Sequence, residues 1–193
     1  MKPFFTFLLV MIFSAGINAN CQSFASYVIE RSSTLPSNDL ESYRQSIWDN
    51  PPAAVSWIND FENLFTNEQE FSLDSMIRRF EKQTGIEIAI VTVDSNMVWR
   101  TKFNDFTERL LYAWGIGKKL KDNGIVICIS SEYKRIKISG GTGIDQYLSP
   151  AEQQQFAERY FIPYYRKQNY YAGTFTGLHT LITKITERIG ALY

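Results

Sequence analysis

Residues 84–93 read TGIEIAIVTV, and residues 122–139 read DNGIVICISSEYKRIKIS. Ile86 to Val93 is β-branched and mostly apolar, the composition of an inner strand covered on both faces. Ile125 to Ile129 repeats that composition after the turn Asp122-Asn123-Gly124. Arg135-Ile136-Lys137-Ile138-Ser139 alternates basic and apolar residues, so it reads as a half-exposed strand. The short Ser130-Ser131-Glu132 stretch pairs it as a hairpin with the strand before. Between the first two strands, Phe103, Phe106, Leu110, Leu111 and Trp114 fall in helical register. A strand–helix–strand unit implies a parallel pair with a right-handed crossover. The hairpin then makes the sheet mixed but mostly parallel.

Helical signals lie on either side of this unit. Thr66-Asn67-Glu68-Gln69 is a capping box, and the helix it opens carries Leu73, Met76, Ile77 and Phe80 on one side. Thr84-Gly85 ends it with a C′ glycine. Ser149-Pro150-Ala151-Glu152 supplies an N-cap serine, a proline at N1 and a glutamate at N3. The last helix buries Leu178, Leu181, Ile182, Ile185 and Ile189. The predicted fold class is α/β: a three-layer α/β/α sandwich around a small, mostly parallel mixed sheet, over residues 52–193.

Residues 20–51 read as an N-terminal arm. RSSTLPSN (31–38) is a linker. A short helix follows, capped by Asn38 with Glu41, and Asn50-Pro51-Pro52 stops it. Residues 1–19 carry Lys2, an apolar run from Phe4 to Phe13, and small residues up to Ala19, the pattern of a signal peptide. The expected location is therefore outside the cytoplasm, in the periplasm or cell envelope, with no membrane span in the mature chain. Cys21 admits a lipid anchor, but Asn18-Ala19-Asn20 fit a lipobox poorly, so that reading is disfavoured.

Composition narrows the chemistry. The 193 residues carry 20 basic and 20 acidic side chains, two cysteines and one histidine. Zero formal charge offers no reason to expect nucleic acid or an anionic membrane as partner. Too few Cys and His are present for a zinc site or a disulfide framework, so any metal must rest on oxygen ligands. A Cys21–Cys128 disulfide is permitted, but Cys128 reads most simply as a small buried hydrophobe. His179 reads as a flank residue of the last helix. Asp60, Asp122 and Asp145 stand near the ends of elements, where α/β domains gather ligands. If they converge, they suit a hard cation such as Ca²⁺; singly, each is an ordinary turn or cap residue. Gly140-Gly141-Thr142-Gly143 lacks the phosphate-loop pattern, and its glycines read as sharp-turn residues. Tyr160 to Tyr171 reads either as core packing or as a partner surface rich in Tyr and Arg.

The order of these pieces resembles the TPM domain family. The resemblance rests on Trp57-x-x-Asp60 and Thr84 to Val93. It continues through Trp114-Gly115-Ile116-Gly117-Lys118-Lys119-x-x-Asp122-Asn123-Gly124 and Gly141-Thr142-Gly143-Ile144-Asp145. It ends with Phe161-Ile162-Pro163-Tyr164-Tyr165 and Tyr170-Tyr171-Ala172-Gly173, so it runs from about Val55 to Ile185. It implies an exported α/β/α domain; members are reported to bind Ca²⁺, and some are assigned acid phosphatase activity. By position, Asp60 and Asp122 match the family's acidic loops, and Asp145 stands where a Glu is common. Two departures are Leu148-Ser149-Pro150 for a Leu-x-Asp pattern and Gln168-Asn169 for Gly-Asp.

The functional expectation is an exported Ca²⁺-binding module acting through an envelope protein partner. Its metal ligands would be Asp60, Asp122 and Asp145, with Asn123 in support. One alternative is a metal-dependent acid phosphatase using the same carboxylates, with Lys118 and Lys119 meeting the phosphate. That alternative lacks an Arg cluster, a second histidine and an evident nucleophile. A structural module with a vacant metal site is the other alternative.

Overall fold

The computed structural model describes residues 37–117 and 120–191. The signal pattern, Cys21, Lys118 and Lys119 lie outside the described residues. Four strands form one sheet in the order β1 (Ile58–Asp60), β2 (Glu87–Thr92), β3 (Gly124–Ser130), β4 (Arg135–Gly140). The first three are parallel; β4 runs antiparallel to β3. The sheet is mixed and mostly parallel, as the sequence predicts.

One strand escapes the sequence reading. β1 has only three residues, too few to show a period-2 pattern, and Asp60 reads from sequence as a loop residue. Its pairing with β2 sets Ile58 opposite Ile90 and Asp60 opposite Thr92. The buried Asn59 braces the entry to β1 through its side chain: its Oδ1 accepts the Val55 N–H at 2.8 Å, and its Nδ2 donates to the Ser56 carbonyl at 2.8 Å.

Successive strand residues alternate between the two faces. On one face Ile88, Ile90, Ile125, Ile127, Ile129 and Ile138 are buried against α2 (Asn67–Thr84), α4 (Pro150–Tyr160), the single turn α5 (Ile162–Tyr165) and α6 (Tyr170–Ala191). On the other, Ala89, Val91, Val126 and Cys128 meet Phe103, Phe106, Leu110 and Leu111 of α3 (Phe103–Ala113). The result is three layers. Small strand residues lie beneath α3 and isoleucines beneath the helices of the other face, where Phe80, Phe156, Phe161 and Tyr165 are also buried.

The helix starts and stops follow their local chemistry. The Thr66 hydroxyl accepts the Gln69 N–H, and the Gln69 side chain accepts the Thr66 N–H. Gly85 closes α2 at φ +73°. At α4 the Glu152 carboxylate accepts both the N–H and the hydroxyl of Ser149. The first helix, α1 (Ser37–Asp49), begins one residue before Asn38, which the sequence offers as its cap. Chain from Leu40 onward belongs to one compact unit with the sheet. Within it, Ile47 and Trp48 pack on the α3 side. The Lys102 ammonium sits 4.7 Å from the Trp48 ring centre and 4.4 Å from that of Trp99.

Candidate functional site

The topology separates the three aspartates. Asp60 ends β1, beside the last residue of β2. Asp122 precedes β3, whose first residue pairs with the first residue of β2. Six residues of β2 lie between these levels, roughly 17 Å at 3.3 Å per step. Asp145 follows β4, whose Gly140 pairs with Ile125 at the start of β3. It therefore lies at Asp122's end of the sheet. The expected convergence does not occur: one ion cannot touch both Asp60 and Asp122. Among the described residues no group of three or more His, Cys, Asp or Glu is placed to hold a metal.

At the carboxyl ends of the parallel strands, Asp60 holds the loop that follows it. Its Oδ1 accepts the Thr92 hydroxyl at 2.5 Å, and its Oδ2 accepts the Phe65 N–H at 2.8 Å. Thr92 Oγ1 in turn accepts the Glu62 N–H at 2.8 Å. Glu62 then reaches under the β3–β4 turn, accepting the Ser131 N–H at 2.9 Å and the Ser131 hydroxyl at 3.1 Å. Burial pushes the Glu62 carboxyl above the ordinary range; the hydrogen bonds from Ser131 only partly offset it. Glu70 is raised by burial and then by the charge of Asp60, and Tyr170 is raised by burial and then by Glu62. Nothing in the sequence marks Glu62, which stands in a loop without any pattern.

At the amino ends, Asp122 adopts φ +44°, a left-handed conformation that Asp tolerates better than most residues. Its Oδ2 accepts the Thr142 N–H at 2.7 Å and the Thr142 hydroxyl at 2.9 Å, while its carbonyl accepts the Gly143 N–H at 3.0 Å. The glycines here serve close approach rather than turning, a correction to the sequence reading. Neither Gly141 nor Gly143 has positive φ. A Cβ on Gly141 would lie 2.4 Å from Asp122 Oδ1, and one on Gly143 would lie 1.9 Å from the Lys121 carbonyl oxygen. Asp145 is exposed at the end of the 3₁₀ turn Thr142–Ile144. Asn123 is buried, and its Nδ2 donates to the Gly85 carbonyl at 2.8 Å, tying this loop to the end of α2.

Glu87 joins the same end. Its carboxylate accepts the Gly117 N–H at 2.7 Å and so fixes the Trp114–Gly117 loop against Asn123-Gly124. Gly117 has φ +98°, and a Cβ there would lie 2.3 Å from the Gly124 nitrogen. A signal for Glu87 exists in the sequence: it is the one charged residue in an apolar run, which marks the strand's solvent end.

The aromatic stretch divides between its two readings. Phe161 and Tyr165 are buried, and Gly177 and Gly173 of α6 make room for their rings. The Tyr165 hydroxyl is 2.8 Å from the Thr174 hydroxyl. Tyr164 and Phe175 remain exposed, and the Phe175 ring centre lies 5.9 Å from that of Tyr171, with the rings tilted by 49°. Gln168 has φ +59°, a left-handed conformation that glycine adopts more readily.

Comparison with known proteins fits this arrangement. The TPM domain model (TPM_phosphatase) matches residues 58–184, well over half of the chain. The chain belongs to the TPM domain family. A search of curated proteins finds no match. Several solved structures resemble this TPM domain, among them the following three. The N-terminal domain of a P. gingivalis protein is 25% identical with a TM-score of 0.62, over 67% of this chain and 81% of that one. BA42 of the psychrophilic Bizionia argentinensis is 20% identical with a TM-score of 0.56, over 66% and 86%. The N-terminal domain of cg2496 from Corynebacterium glutamicum is 14% identical with a TM-score of 0.53, over 70% and 83%. The last two speak for the fold alone.

Proposed function

We propose that this TPM domain is an exported module of the cell envelope that binds one Ca²⁺ at the amino ends of its parallel strands and acts through a protein partner. The observation that carries the reading is the clasp between residues 121–123 and 141–145. Glycines at 141 and 143 admit the Asp122 carboxylate and the Lys121 carbonyl, and Asp145 stands exposed at the end of the same loop. Such a donor set is all oxygen and mixes carboxylate with carbonyl, the chemistry Ca²⁺ takes. Two carboxylates in place of three or more argue for weak binding, on the order of 10⁻⁴ to 10⁻³ M, the range of extracellular modules. Asp60 is assigned a structural role instead, since both of its oxygens already accept protein hydrogen bonds. Export rests on the amino-terminal residue pattern. Tyr164, Tyr171 and Phe175 supply aromatic surface of the kind that anchors protein partners. Among the described residues no helix is long and apolar enough to cross a membrane.

The test is a melting curve in excess Ca²⁺ against chelator. Ligand at about a hundred times its Kd adds about 2.7 kcal/mol, a rise of roughly 5–10 °C for a domain of this size. The shift should survive Asp60→Asn and disappear in Asp122→Asn. The reverse pattern would move the site to the other end of the sheet. No shift in wild type would leave a structural module without a metal. Metal-dependent phosphomonoester hydrolysis at the same carboxylates is supported by the family model's label, and turnover lost in Asp122→Asn would bring it forward.

A further inference from the structure

Helix α1 (Ser37–Asp49) lies before the stretch that matches the TPM model, residues 58–184. The groups that receive it, Ser95, Trp99, Lys102 and Arg109, lie inside that stretch. The Glu41 carboxylate accepts the Trp99 indole N–H at 2.7 Å. Arg44 donates twice to the Ser95 carbonyl, at 3.0 and 2.6 Å. Arg109 of α3 donates to the carbonyls of Trp48 and Asp49, at 2.6 and 3.2 Å, so a cation caps the last turn of α1. The Lys102 ammonium sits against both the Trp48 and Trp99 rings, and the Trp48 ring centre lies 6.3 Å from that of Phe106. These contacts define what the seat takes: a helix with an acid, an aromatic seven residues on, and its carbonyl end at Arg109.

The seat holds α1 lightly. No residue from Leu40 to Asp49 is buried, whereas α3 buries Phe103, Phe106, Thr107, Leu110 and Leu111. The bonds from Trp99 and Arg109 are exposed, where water competes for the same groups. A helix as short as α1 is marginal alone in water, so its order comes from the seat. The seat also runs on past its occupant. The first half of α1 meets Ser95 and Trp99 and its last turn meets Arg109, so it runs in the same sense as α3. Asn50-Pro51-Pro52 stops it there. Lys102, Phe106, Arg109 and Tyr112 follow three or four residues apart, which puts them on one side of α3. Tyr112, one turn beyond Arg109, is 68% exposed. Tethered α1 competes at an effective concentration on the order of millimolar. An incoming helix wins only by adding contacts, and Tyr112 offers them.

We propose that this strip of α3 is a docking seat for an amphipathic helix of a partner protein, which α1 occupies until the partner displaces it. The partner helix carries an acidic residue for Trp99, an aromatic residue seven positions on for Lys102 and Phe106, and an apolar residue one turn further for Tyr112. The seat is separate from the cation site and from the surface of Tyr164, Tyr171 and Phe175. The test uses the full chain and two peptides, one with the sequence of residues 37–49 and one extending it by Ala-Ala-Leu-Ala. Native-state amide exchange should be at least about a hundredfold faster for Leu40 to Asp49 than for β2 and β3. The extended peptide should shift the amides of Trp99, Lys102, Arg109 and Tyr112 on one saturation curve, while those of Leu40 to Asp49 move in step to unstructured positions. It should bind about fivefold more tightly than the short one, in line with partial burial of one leucine. Trp48→Ala weakens the resident helix and should tighten peptide binding about tenfold; Glu41→Ala should act in the same direction by less. Exchange of α1 as slow as that of β2 and β3, shifts centred elsewhere, or no binding at millimolar peptide would overturn the proposal. So would wild-type dimers that swap α1 between copies, seen by sedimentation, since a second copy would then be the occupant.

Discussion

At the carboxyl ends of the parallel strands, Asp60 holds the loop that follows β1, and Glu62 reaches beneath the β3–β4 turn and holds it from inside. At the amino ends, Asp122 and Glu152 hold a loop and a helix start from the rim. The hydrogen-bonding task is the same, with carboxylates accepting main-chain N–H groups and hydroxyls. Surroundings make the difference. Glu62 is half-buried with no cation against it, and burial pushes its carboxyl up. Glu152 stays half-exposed and pairs with Arg188 at 2.6 Å, and that guanidinium, ahead of the Ser149 N–H, holds its carboxyl down at about 2. Burial without a counter-charge works against the ionised form; a rim position with a cation favours it.

The largest expected effect tests how tightly the amino end is clasped. Gly143→Ala would drive a methyl into the Lys121 carbonyl at 1.9 Å, against backbone that cannot give way cheaply. A loss of about 3 kcal/mol or more is expected, seen as a fall of roughly 10 °C in Tm. Gly190→Ala, with open space around it, serves as the control. Equal melting of the two variants would break the clasp.

Next comes the opposite end. Asp60→Ala leaves the buried Thr92 hydroxyl and the Phe65 N–H without their acceptor. A cost of about 2 kcal/mol follows from unpaired buried donors, measurable by denaturant unfolding. The Ca²⁺ response should be unchanged. A variant that loses the response but keeps its stability would invert the roles given to the two ends.

Much of this was readable from residue order. TGIEIAIVTV and IVICI declare two inner strands because both faces are covered, and the capping boxes at Thr66 and Ser149 declare their helices through local hydrogen bonds. Three-residue β1 was invisible, since its strand character comes from pairing with β2 rather than from its own pattern. That omission is what misplaced Asp60: as a loop residue it was free to meet Asp122, but as the end of a parallel strand it is not. The glycines at 141 and 143 were visible as glycines, yet the reason for them, close approach of residues 121 and 122, is a long-range contact. Glu62 could not be found because its partner Ser131 lies across the sheet.

A smaller effect separates the ends by pH. Glu62 has its folded pKa above the unfolded value, so its contribution to stability is present below the ordinary carboxyl range and falls as pH rises through the raised value. Glu152 has the opposite sign. Its contribution is complete above the ordinary range and is lost as pH falls toward about 2. Relative to wild type, Glu62→Gln should therefore gain as pH rises. Glu152→Gln should lose, by no more than about 1 kcal/mol for so exposed a pair. Melting curves from about pH 3 to about pH 7 read both signs, and parallel curves would remove the electrostatic contrast.

The smallest effect lies between the ends. Cys128, midway along β3, is fully buried, and burial pushes its thiol up to about 12. In the native protein it should resist iodoacetamide at neutral pH and label only as the sheet opens. Rapid labelling of folded protein would mean the centre of the sheet is looser than its ends.

The most direct measurement is an amide-resolved NMR titration of the wild-type protein with Ca²⁺. Residues 121–124 and 141–145 should shift together with one saturation curve, while residues 60–65, Thr92 and Ser131 stay in place. Saturable shifts centred on residues 60–65, or none at either end, would contradict a cation site at the amino ends of the strands.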